Sequence, residues 1–571
     1  MSGDSNLDNR LQVVLCWHMH QPYYKGPEQS DYLLPWVYLH GIKDYADMAA
    51  HLEHVPDAKA VVNFAPVLLE QIDDYVIQIE AWLDKGTLIR DPLLAALAGP
   101  GLPVDVRSRK AIILACLRAN KNRLINRFKH FSELAAFAKH ALENEAMIAY
   151  FNDQYLIDLL VWYHLAWIGE CQRMNDTRVR SLQAKGRGFN QDDRRRMLEM
   201  IWEVLSTLTQ RYAKLADNGQ VELSVTPYAH PIIPLLTDIN AAREALPTIA
   251  MPQLEEYPGG ESRARWHMRK GIAVFEQYFG FKPKGCWPSE GGVSEATLKM
   301  LEEEGFEWAA TGQQVLCNSL MAGNGHSPLP DNWVHSSYCV NEGHLNMFFR
   351  DDGLSDLIGF TYGEWHSDDA VGDLINHLVN IANACQGNPD AVVSIIMDGE
   401  NAWEYYPYNG SYFLLAMYER LSQHPRLCLT TFSEVLACRQ QPPRRLSKLV
   451  AGSWVYGTLT TWIGDKDKNR AWDLLGEAKK VYDHVLTTKQ FSKQKLAELE
   501  KQLAICEGSD WFWWFGDYNP GETVSDFEQL FRSQLSHLFD LMEEPKPDYL
   551  SEVFAVGNGE PSLGGVMKKN D

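Results

Sequence analysis

Seven short runs of β-forming residues recur along this 571-residue chain, separated by long stretches of helical pattern. Most of these runs are apolar throughout instead of alternating, which is typical of parallel strands that are buried on both faces. They are LQVVLCW from Leu11, AVVNF from Ala60, VELSV from Val221, KGCWP from Lys284, EWAAT from Glu307, LNMFFR from Leu345 and AVVSIIM from Ala391. Strands that alternate with helices in this way predict an α/β fold, namely an incomplete TIM-like (β/α)7 barrel.

The predicted strands are unevenly spaced. Between the second and third strands, residues 91–218 have the pattern of several helices, which predicts a helical insertion on a barrel loop. Beyond residue 420 helices dominate, as in NRAWDLLGEAKKVYDHVL from Asn469. A chain of this length exceeds one compact core. We therefore expect a barrel domain over 1–420 and an α-helical C-terminal domain over 421–571 that contributes to the cleft.

Charge and composition narrow the class of partner. With 53 basic and 75 acidic residues the net charge is −22, and such a surface repels nucleic acids and anionic lipids. No long apolar span and no signal-like N-terminus occur, and the ten cysteines are scattered without a C-x-x-C pair, so a cytoplasmic protein with reduced thiols is expected. A neutral polymer such as a sugar chain fits, because the 18 Trp, 24 Tyr and 22 Phe offer flat apolar faces. No feature points to a particular oligomeric state.

Polar side chains follow the predicted strands at the points where each strand ends. In barrels of this class the active site gathers at the C-terminal ends of the strands. The residues found there are His18, Met19, His20, Gln21, Pro227, Tyr228, His230, Glu290, Arg350, Asp351, Asp352, Asp398 and Glu400. The sequence therefore predicts a reactive mouth at that end of the barrel.

Two carboxylates at this mouth are the strongest catalytic candidates. Glu290 lies in GCWPSEGGVSE, where Pro288 and two glycines favour a tight turn, although it could also belong to a helix start near Ser294. Asp398 ends the apolar run VVSIIMD and precedes an aromatic cluster, so burial would raise its pKa as a general acid requires, unless it is a solvated strand end. Paired carboxylates across a mouth are the minimal apparatus of glycoside cleavage.

The segment WHMHQP supports a competing hypothesis. His18 and His20 are two residues apart on a strand end, so their side chains point the same way and could bind Zn²⁺. A third ligand could be Asp351, His230 or His344, and a metal-dependent hydrolase or deacetylase would follow. Neutral imidazoles that bond to sugar hydroxyls, or a histidine in the core, are the alternatives.

Aromatic residues cluster again late in the chain. Trp454 and Trp462 lie in GSWVYGTLTTWIGD, and Trp511, Trp513 and Trp514 lie in GSDWFWWFGD. At least one of the last three is expected in a core. The others would line sugar subsites if the C-terminal domain covers the barrel.

Five segments in order resemble glycoside hydrolase family 57, over residues 12 to 517. The segments are HMHQPYY from His18, GQVELSVTPYAHPIIPLL from Gly219, GCWPSEGGVSE from Gly285, MDGENAWEYYPYNG from Met397 and TTWIGDKDKNRAW from Thr460. The amino-acid sequence of the third segment is most similar to that of the amylopullulanase and α-amylase-like members.

The resemblance implies a retaining glycoside hydrolase that acts on α-1,4 or α-1,6 bonds of α-glucans or maltooligosaccharides, with a helical C-terminal domain and no required metal or cofactor. Position by position, Glu290 matches the nucleophile and Asp398 the acid/base. His20, Glu400 and Trp403 match positions close to the cleaved sugar. Together with the strand-end reasoning, the expected substrate-binding residues are His18, His20, Gln21, His230, Trp287, Glu400, Trp403, Trp454, Trp462, Asp510, Trp511 and Trp514.

Two further alternatives share this predicted site. A 4-α-glucanotransferase or a branching enzyme would use the same pair, because transfer and hydrolysis differ only in whether a sugar or water accepts the glycosyl group. A carbohydrate-binding protein without catalysis is the other.

Overall fold

The computed structural model describes residues 10–27, 31–324, 329 and 331–559. In these residues ten strands form one sheet. The strands are β1 (Leu11–Met19), β2 (Ala60–Phe64), β3 (Val221–Val225), β4 (Gly285–Cys286), β5 (Trp308–Gly312), β6 (Tyr338–Val340), β7 (Asn346–Arg350), β8 (Val392–Asp398), β9 (Leu427–Thr430) and β10 (Arg444–Leu446).

Seven of these strands close into a parallel barrel in the order β1, β2, β3, β4, β5, β7, β8. The ring closes because β8 pairs with β1 along seven residue pairs and with β7 through Arg350 and Ser394. Each of the seven predicted runs overlaps one of the barrel strands. The predicted (β/α)7 barrel is therefore confirmed.

Three short strands extend the sheet and were not expected from the sequence. β9 pairs in parallel with residues 11–14 of β1. β6 forms an antiparallel pair with β7, and β10 pairs in parallel with β6. Each has only three or four residues, too few for a reliable hydrophobic period.

Helices surround the barrel and form the C-terminal region, as predicted. The α-helices are α1 (Trp36–His40), α2 (Ala46–His54), α3 (Pro66–Lys85), α4 (Pro92–Ala98), α5 (Val106–Leu117), α6 (Lys129–Glu143), α7 (Asp153–Trp167), α8 (Glu170–Asn175), α9 (Thr177–Lys185), α10 (Gln191–Asp217), α11 (Ile233–Thr237), α12 (Ala242–Ala245), α13 (Gly260–Phe279), α14 (Glu295–Glu303), α15 (Gln313–Asn324), α16 (Asp352–Asp356), α17 (Ser367–Ala384), α18 (Ser411–Gln423), α19 (Phe432–Cys438), α20 (Lys466–Thr488), α21 (Lys493–Cys506), α22 (Asp510–Trp514) and α23 (Gly521–Met542).

Shorter helical turns occur between them. The 3-10 turns are Glu145–Tyr150, Ile239–Ala241, Ser289–Gly291, Tyr362–Glu364, Asn401–Tyr405, Pro407–Gly410 and Asp548–Ser551, and the π-helical turns are Gly41–Tyr45, Lys121–Ile125 and Leu357–Thr361. Capping residues of the expected kind begin several helices. Asn190, for example, forms a reciprocal capping box with Asp193 at the start of α10.

The barrel interior is filled by side chains from alternate strand positions. Val14 and Cys16 of β1 pack with Trp287 and Trp308 in this inner cluster, whereas the neighbouring β1 residues belong to the outer core. The inner space is tight, since a Cβ atom at Gly285 would lie 1.8 Å from the Trp308 ring. Because strand side chains alternate with a period of two, the inward series of β1 continues upward to residues 18 and 20.

No helix in the described ranges is long and apolar enough to cross a membrane. All ten cysteines carry free thiols.

Candidate active site

The strand register brings one layer of polar side chains to the top of the barrel. His18 pairs in register with Asn63 of β2 on one side and with Asp398 of β8 on the other. Asn63 pairs in turn with Ser224 of β3. All four occupy inward positions of their strands, so this layer closes the apolar interior and forms the floor of a cavity.

That cavity has a volume of about 610 Å³. Its walls come from the strand ends, the end of α5 in the helical insertion, and α22 and α23 of the C-terminal region. Nine of the predicted site residues line it, namely His18, His20, Gln21, Glu290, Asp398, Glu400, Trp454, Asp510 and Trp514.

Glu290 is held in a strained turn at the edge of the floor. Ser294 caps α14 by accepting from the amide of Thr297, so the helix begins beyond Glu290, which lies in the separate turn Ser289–Gly291. Its φ of 57° is in the left-handed region, which a non-glycine residue adopts only when its surroundings fix it. The Trp454 backbone amide donates to the Glu290 carbonyl at 3.1 Å, and the Trp454 indole Nε1 donates to Oε2 at 3.0 Å.

Asp398 is the last residue of β8 and lies at the same mouth. The Asn401 side-chain amide donates to its Oδ2 at 2.8 Å. Burial raises the pKa of the Asp398 carboxyl, against the lowering effects of Asn401, His20 and Arg350. Burial also raises the pKa of Glu290 well above its usual range, and the next largest cause is the charge of Asp398. The two carboxyls are therefore electrostatically coupled, and one negative charge is favoured over two.

A chain of hydrogen bonds runs beneath this pair. His18 Nδ1 donates to Asn63 Oδ1 at 2.7 Å, since an amide oxygen can only accept. The other nitrogen of His18, Nε2, then accepts from His230 Nε2 at 3.1 Å, and His230 Nδ1 accepts from the Ser509 hydroxyl at 2.8 Å. Burial lowers the pKa of His18 to about 3 and that of His230 well below its usual range, with the nearby histidines adding to the effect. Both imidazoles are therefore neutral supports.

His20 connects the barrel to the C-terminal region. Its Nε2 lies 2.8 Å from Asp510 Oδ1, and its ring stacks on His230 with centroids 3.8 Å apart. Although His230 does not line the cavity, its Nδ1 lies 3.9 Å from Glu290 Oε1. Residues almost 500 positions apart in the sequence thus form one cluster.

Glu400 is a third buried acid in the cavity wall. Its Oε1 accepts from the Gln21 amide at 3.2 Å, and Tyr24 donates to the oxygen of that same amide. Its Oε2 is buried without a hydrogen-bond partner among the described residues. Burial, followed by the charge of Asp398, raises the pKa of Glu400 well above its usual range. A protonated Glu400 could therefore donate to a ligand hydroxyl.

Four of the predicted sugar-binding tryptophans belong to the core instead of the cavity wall. Trp287, Trp403, Trp462 and Trp511 are each at most 1% exposed and do not line the cavity. Trp287 fills the barrel interior, and Trp511 packs on the aromatic face of α23. The structure corrects the prediction that these four tryptophans contact sugar directly. A large apolar ring stabilises the fold more when it is completely buried than when one face lies open in a cavity wall.

The structure also brings in residues that sequence reasoning did not assign to the site. Among them are Trp36, His40, Leu117, Arg118, Trp167, Glu404, Asp526 and Phe527. Trp513 of the late aromatic cluster and Arg350 also line the cavity. Arg350 was visible as a strand-end residue, and it lies beneath the Trp454 ring at 5.6 Å while it bonds to Asp352 and Asp356. No sequence signal distinguishes Leu117 or Arg118 from the other helical residues of the insertion.

The metal hypothesis is changed by the structure. Of the three predicted third ligands, only His230 joins His20, and Asp510 completes a group whose ligand atoms lie within 4.8 Å of one another. Asp351 instead pairs with His335, and His344 precedes β7 at the opposite end of the barrel. The nearly parallel His20 and His230 rings, tilted by 14°, do not direct their in-plane lone pairs to one point.

The sequence profile of Glycosyl hydrolase family 57 matches residues 14–450. The chain belongs to this family. Membership confirms the predicted resemblance and identifies a glycoside hydrolase-type enzyme. No curated protein sequence matches the chain significantly.

Several solved structures of this family share the fold. A GH57 branching enzyme from Thermococcus kodakaraensis is 16% identical with a TM-score of 0.56, covering 93% of this chain and 89% of its own. The α-amylase AmyC from Thermotoga maritima is 12% identical with a TM-score of 0.54, covering 95% and 96%. The 4-α-glucanotransferase from Thermococcus litoralis is 14% identical with a TM-score of 0.51, covering 95% and 61%. At such identities these likenesses show the fold alone.

Proposed function

We propose that this family 57 enzyme cleaves α-1,4 glucosidic bonds of α-glucans or maltooligosaccharides with retention, using Glu290 as nucleophile and Asp398 as general acid/base. The observation that carries the proposal is the electrostatically coupled and largely buried pair at one barrel mouth. The family and its structural neighbours, which include an α-amylase, support the substrate class.

In the first step, Asp398 gives its proton to the glycosidic oxygen, and that bond to the anomeric carbon breaks. The Glu290 carboxylate attacks the same carbon and forms a glycosyl ester. In the second step, the Asp398 carboxylate takes a proton from the acceptor hydroxyl, whose oxygen displaces Glu290. After the first step the pair carries one negative charge, on Asp398, and no proton, because the proton has left with the released sugar. The second step returns one proton to Asp398 and the negative charge to Glu290.

The contacts and backbone conformation of Glu290 support its assignment as the nucleophile. An indole N–H can only donate, so Trp454 stabilises Glu290 in its carboxylate form and fixes the attacking group. The strained backbone of Glu290 has the same consequence, since it restricts the carboxylate to one direction. Burial raises the pKa of Asp398, which is the direction that a general acid requires.

Substrate contacts would come from both parts of the chain. His20 and Asp510 form a joined polar pair for sugar hydroxyls, and Glu400 offers a buried oxygen beside Asp398. Trp454 and Trp514 provide ring faces in the wall. We accordingly retain 421–571 as a C-terminal domain that completes the cleft of the barrel domain over 1–420.

Transfer to a sugar is the second candidate function. The cavity continues past the carboxylate pair to Trp513, Trp514 and Phe527, which gives an acceptor chain apolar faces to lie on. A branching enzyme and a 4-α-glucanotransferase are among the structural neighbours. The chemistry of the pair would be the same.

The test is product analysis with defined substrates. The purified enzyme would be incubated with maltooligosaccharides, pullulan and glycogen, and the products separated by length and linkage. Shorter products alone indicate hydrolysis, products longer than the substrate indicate transfer, and new α-1,6 linkages indicate branching. Absence of any product from all of these substrates would overturn the proposed function.

A further inference from the structure

Four large aromatic side chains are exposed together on the surface beside the active site. Trp365, Tyr405, Tyr408 and Tyr412 are 43%, 38%, 46% and 59% exposed. A single exposed apolar side chain is ordinary, but a group of aromatic rings on one surface is typical of a binding site. We call these four residues the tyrosine face.

Contacts of Arg123 and Arg127 join the segments that carry the tyrosine face. Arg123 donates to the carbonyl of Tyr405 at 2.7 Å and to the carboxylate of Glu364, the residue before Trp365, at 3.0 Å. Tyr408 and Tyr412 meet edge to face with centroids 5.4 Å apart. The Arg127 guanidinium, one turn beyond Arg123, lies 4.6 Å from the Tyr408 ring. Two arginines and one carboxylate therefore lie among the rings.

The backbone under the tyrosine face is strained. Tyr408 and Asn409 have φ values of 53° and 54°, in the left-handed region that side chains rarely adopt. Asn409 anchors the turn from below, because its amide donates to the buried Asp47 carboxylate at 3.0 Å. The turn holds the Tyr408 ring half exposed, although burial would have stabilised the fold more. Strain that keeps an apolar ring at the surface points to a function for that ring.

Two separate segments lead from the cavity to the tyrosine face. In the first, Leu117 and Arg118 line the cavity, and the chain then continues to Arg123 and Arg127. The second runs from Asp398 through the cavity-lining Glu404 to Tyr405 and Tyr408. The tyrosine face therefore begins one residue beyond the cavity-lining Glu404.

We propose that the tyrosine face is a second α-glucan-binding surface, which holds a part of a long glucan chain that extends out of the cleft. This inference rests on the proposed function. Flat rings suit the apolar faces of sugar rings, and the arginine and glutamate side chains between them suit the hydroxyl edges. None of the four residues is aliphatic, and the net charge of −22 disfavours anionic polymers.

The test compares binding of a long chain with turnover of a short one. Tyr408→Ala/Tyr412→Ala would be made alongside the ring-retaining Tyr408→Phe/Tyr412→Phe, with Tyr150→Ala as matched control because Tyr150 is an exposed tyrosine of the insertion. Affinity electrophoresis through gels containing amylose gives the dissociation constant of the enzyme for amylose. All variants in this experiment also carry Glu290→Gln, so that the enzyme does not cleave the amylose in the gel. We expect the alanine pair to weaken amylose binding about fivefold or more, as loss of aromatic contacts implies.

The phenylalanine pair and the control should bind amylose as the parent does, and turnover of maltotriose in the otherwise unchanged enzyme should stay within about twofold. Unchanged amylose binding by the alanine pair would overturn the inference, as would equal loss in the phenylalanine pair. A matching fall in maltotriose turnover would assign these residues to the cleft itself.

If the alanine pair instead dissociates a dimer in sedimentation, with amylose binding unchanged, a second copy is the occupant and the inference is wrong. Binding and turnover are read separately, so a wild type that cleaves no α-glucan overturns only the proposed function.

Discussion

Glu290 and Glu507 are two glutamates that are removed from most solvent, and their surroundings differ completely. Glu507 accepts hydrogen bonds from Arg263, from His267 and from the hydroxyl of Tyr257, at distances between 2.7 and 3.0 Å. Glu290 has a single close donor, Trp454. Both side chains are removed from most solvent, yet only one of them is fully satisfied.

The pKa values move in opposite directions as a result. Burial alone would raise the pKa of Glu507, but Arg263 and His267 hold it down to about 2. Burial raises the pKa of Glu290, and the charge of Asp398 raises it further. Glu507 is a permanent anion that joins α13 to the end of α21, next to Ser509 and Asp510 of the site. Glu290 is left with its charge uncompensated.

This difference separates what stabilises the site from what performs its chemistry. The His267 ring accepts from the amide of Ala229 and donates to Glu507, so the closed cluster supports the segment that carries His230. A nucleophile cannot have such a complete set of partners, because its oxygen must remain free for the substrate. We therefore assign stability to the closed cluster and, on the proposed function, reactivity to the open one.

Replacing Glu290 should have the largest effect on activity. In Glu290→Gln, kcat should fall at least about a thousandfold, because an amide cannot form the glycosyl ester. The melting temperature should stay equal to that of the wild type or rise slightly, since a buried acid that resists ionisation is removed. Steady-state kinetics and calorimetry measure the two effects. Near-normal turnover would contradict the assignment of the nucleophile.

Glu507→Gln is the matched change in the closed cluster and should act mainly on stability. It leaves the buried Arg263 without its counter-charge, which destabilises a protein by about 3–5 kcal/mol. Denaturant unfolding of both proteins measures the difference. Glu498→Gln, on the exposed face of the same helix α21, is the control and should be nearly neutral. An equally stable Glu507→Gln variant would show that the closed cluster is not what stabilises the site.

Much of the barrel could be predicted because buried parallel strands leave a strong local signal. The seven runs and the residues at their ends placed His18, Glu290 and Asp398 at one mouth. For His18 and Asp398, the register of β1 with β2 and β8 explains this placement. β4 has only two residues, yet the predicted run from Lys284 contains both of them.

Partners from distant parts of the chain could not be predicted in the same way. Asp510 meets His20, and Arg118 enters the wall, only because α22 and the end of α5 pack over the barrel mouth. No local pattern encodes that packing. The tryptophans show the same limit, since Trp511 and Trp514 are three residues apart on α22, but one packs in the core and the other faces the cavity.

The pH dependence of stability should distinguish the two glutamates. The folded-state pKa of Glu507 is depressed to about 2, so its contribution is complete above the ordinary glutamate pKa of about 4.3 and is lost as pH falls toward the depressed value. The stability difference between wild type and Glu507→Gln should therefore narrow between about pH 5 and about pH 3. The contribution of Glu290 to stability changes with pH in the opposite direction, because its pKa is raised in the folded state. Wild type should lose stability relative to Glu290→Gln as pH rises. Thermal unfolding in a pH series measures both trends, and parallel curves for the two variants would contradict the comparison.

Removal of metal should have the smallest effect of all. Three of the four ring nitrogens of His20 and His230 already bond to Asp510, Ser509 and His18, and the fourth, His20 Nδ1, lacks a partner among the described residues. Their stacked rings direct lone pairs along nearly parallel planes, whereas a zinc ion needs ligands that converge in a tetrahedron. We therefore expect activity after treatment with EDTA to equal that of untreated enzyme, with maltotriose as substrate. Loss of activity that zinc alone restores would contradict this prediction. It would assign catalysis to a metal ion at the histidine cluster, in place of the carboxylate pair and the uncompensated charge of Glu290.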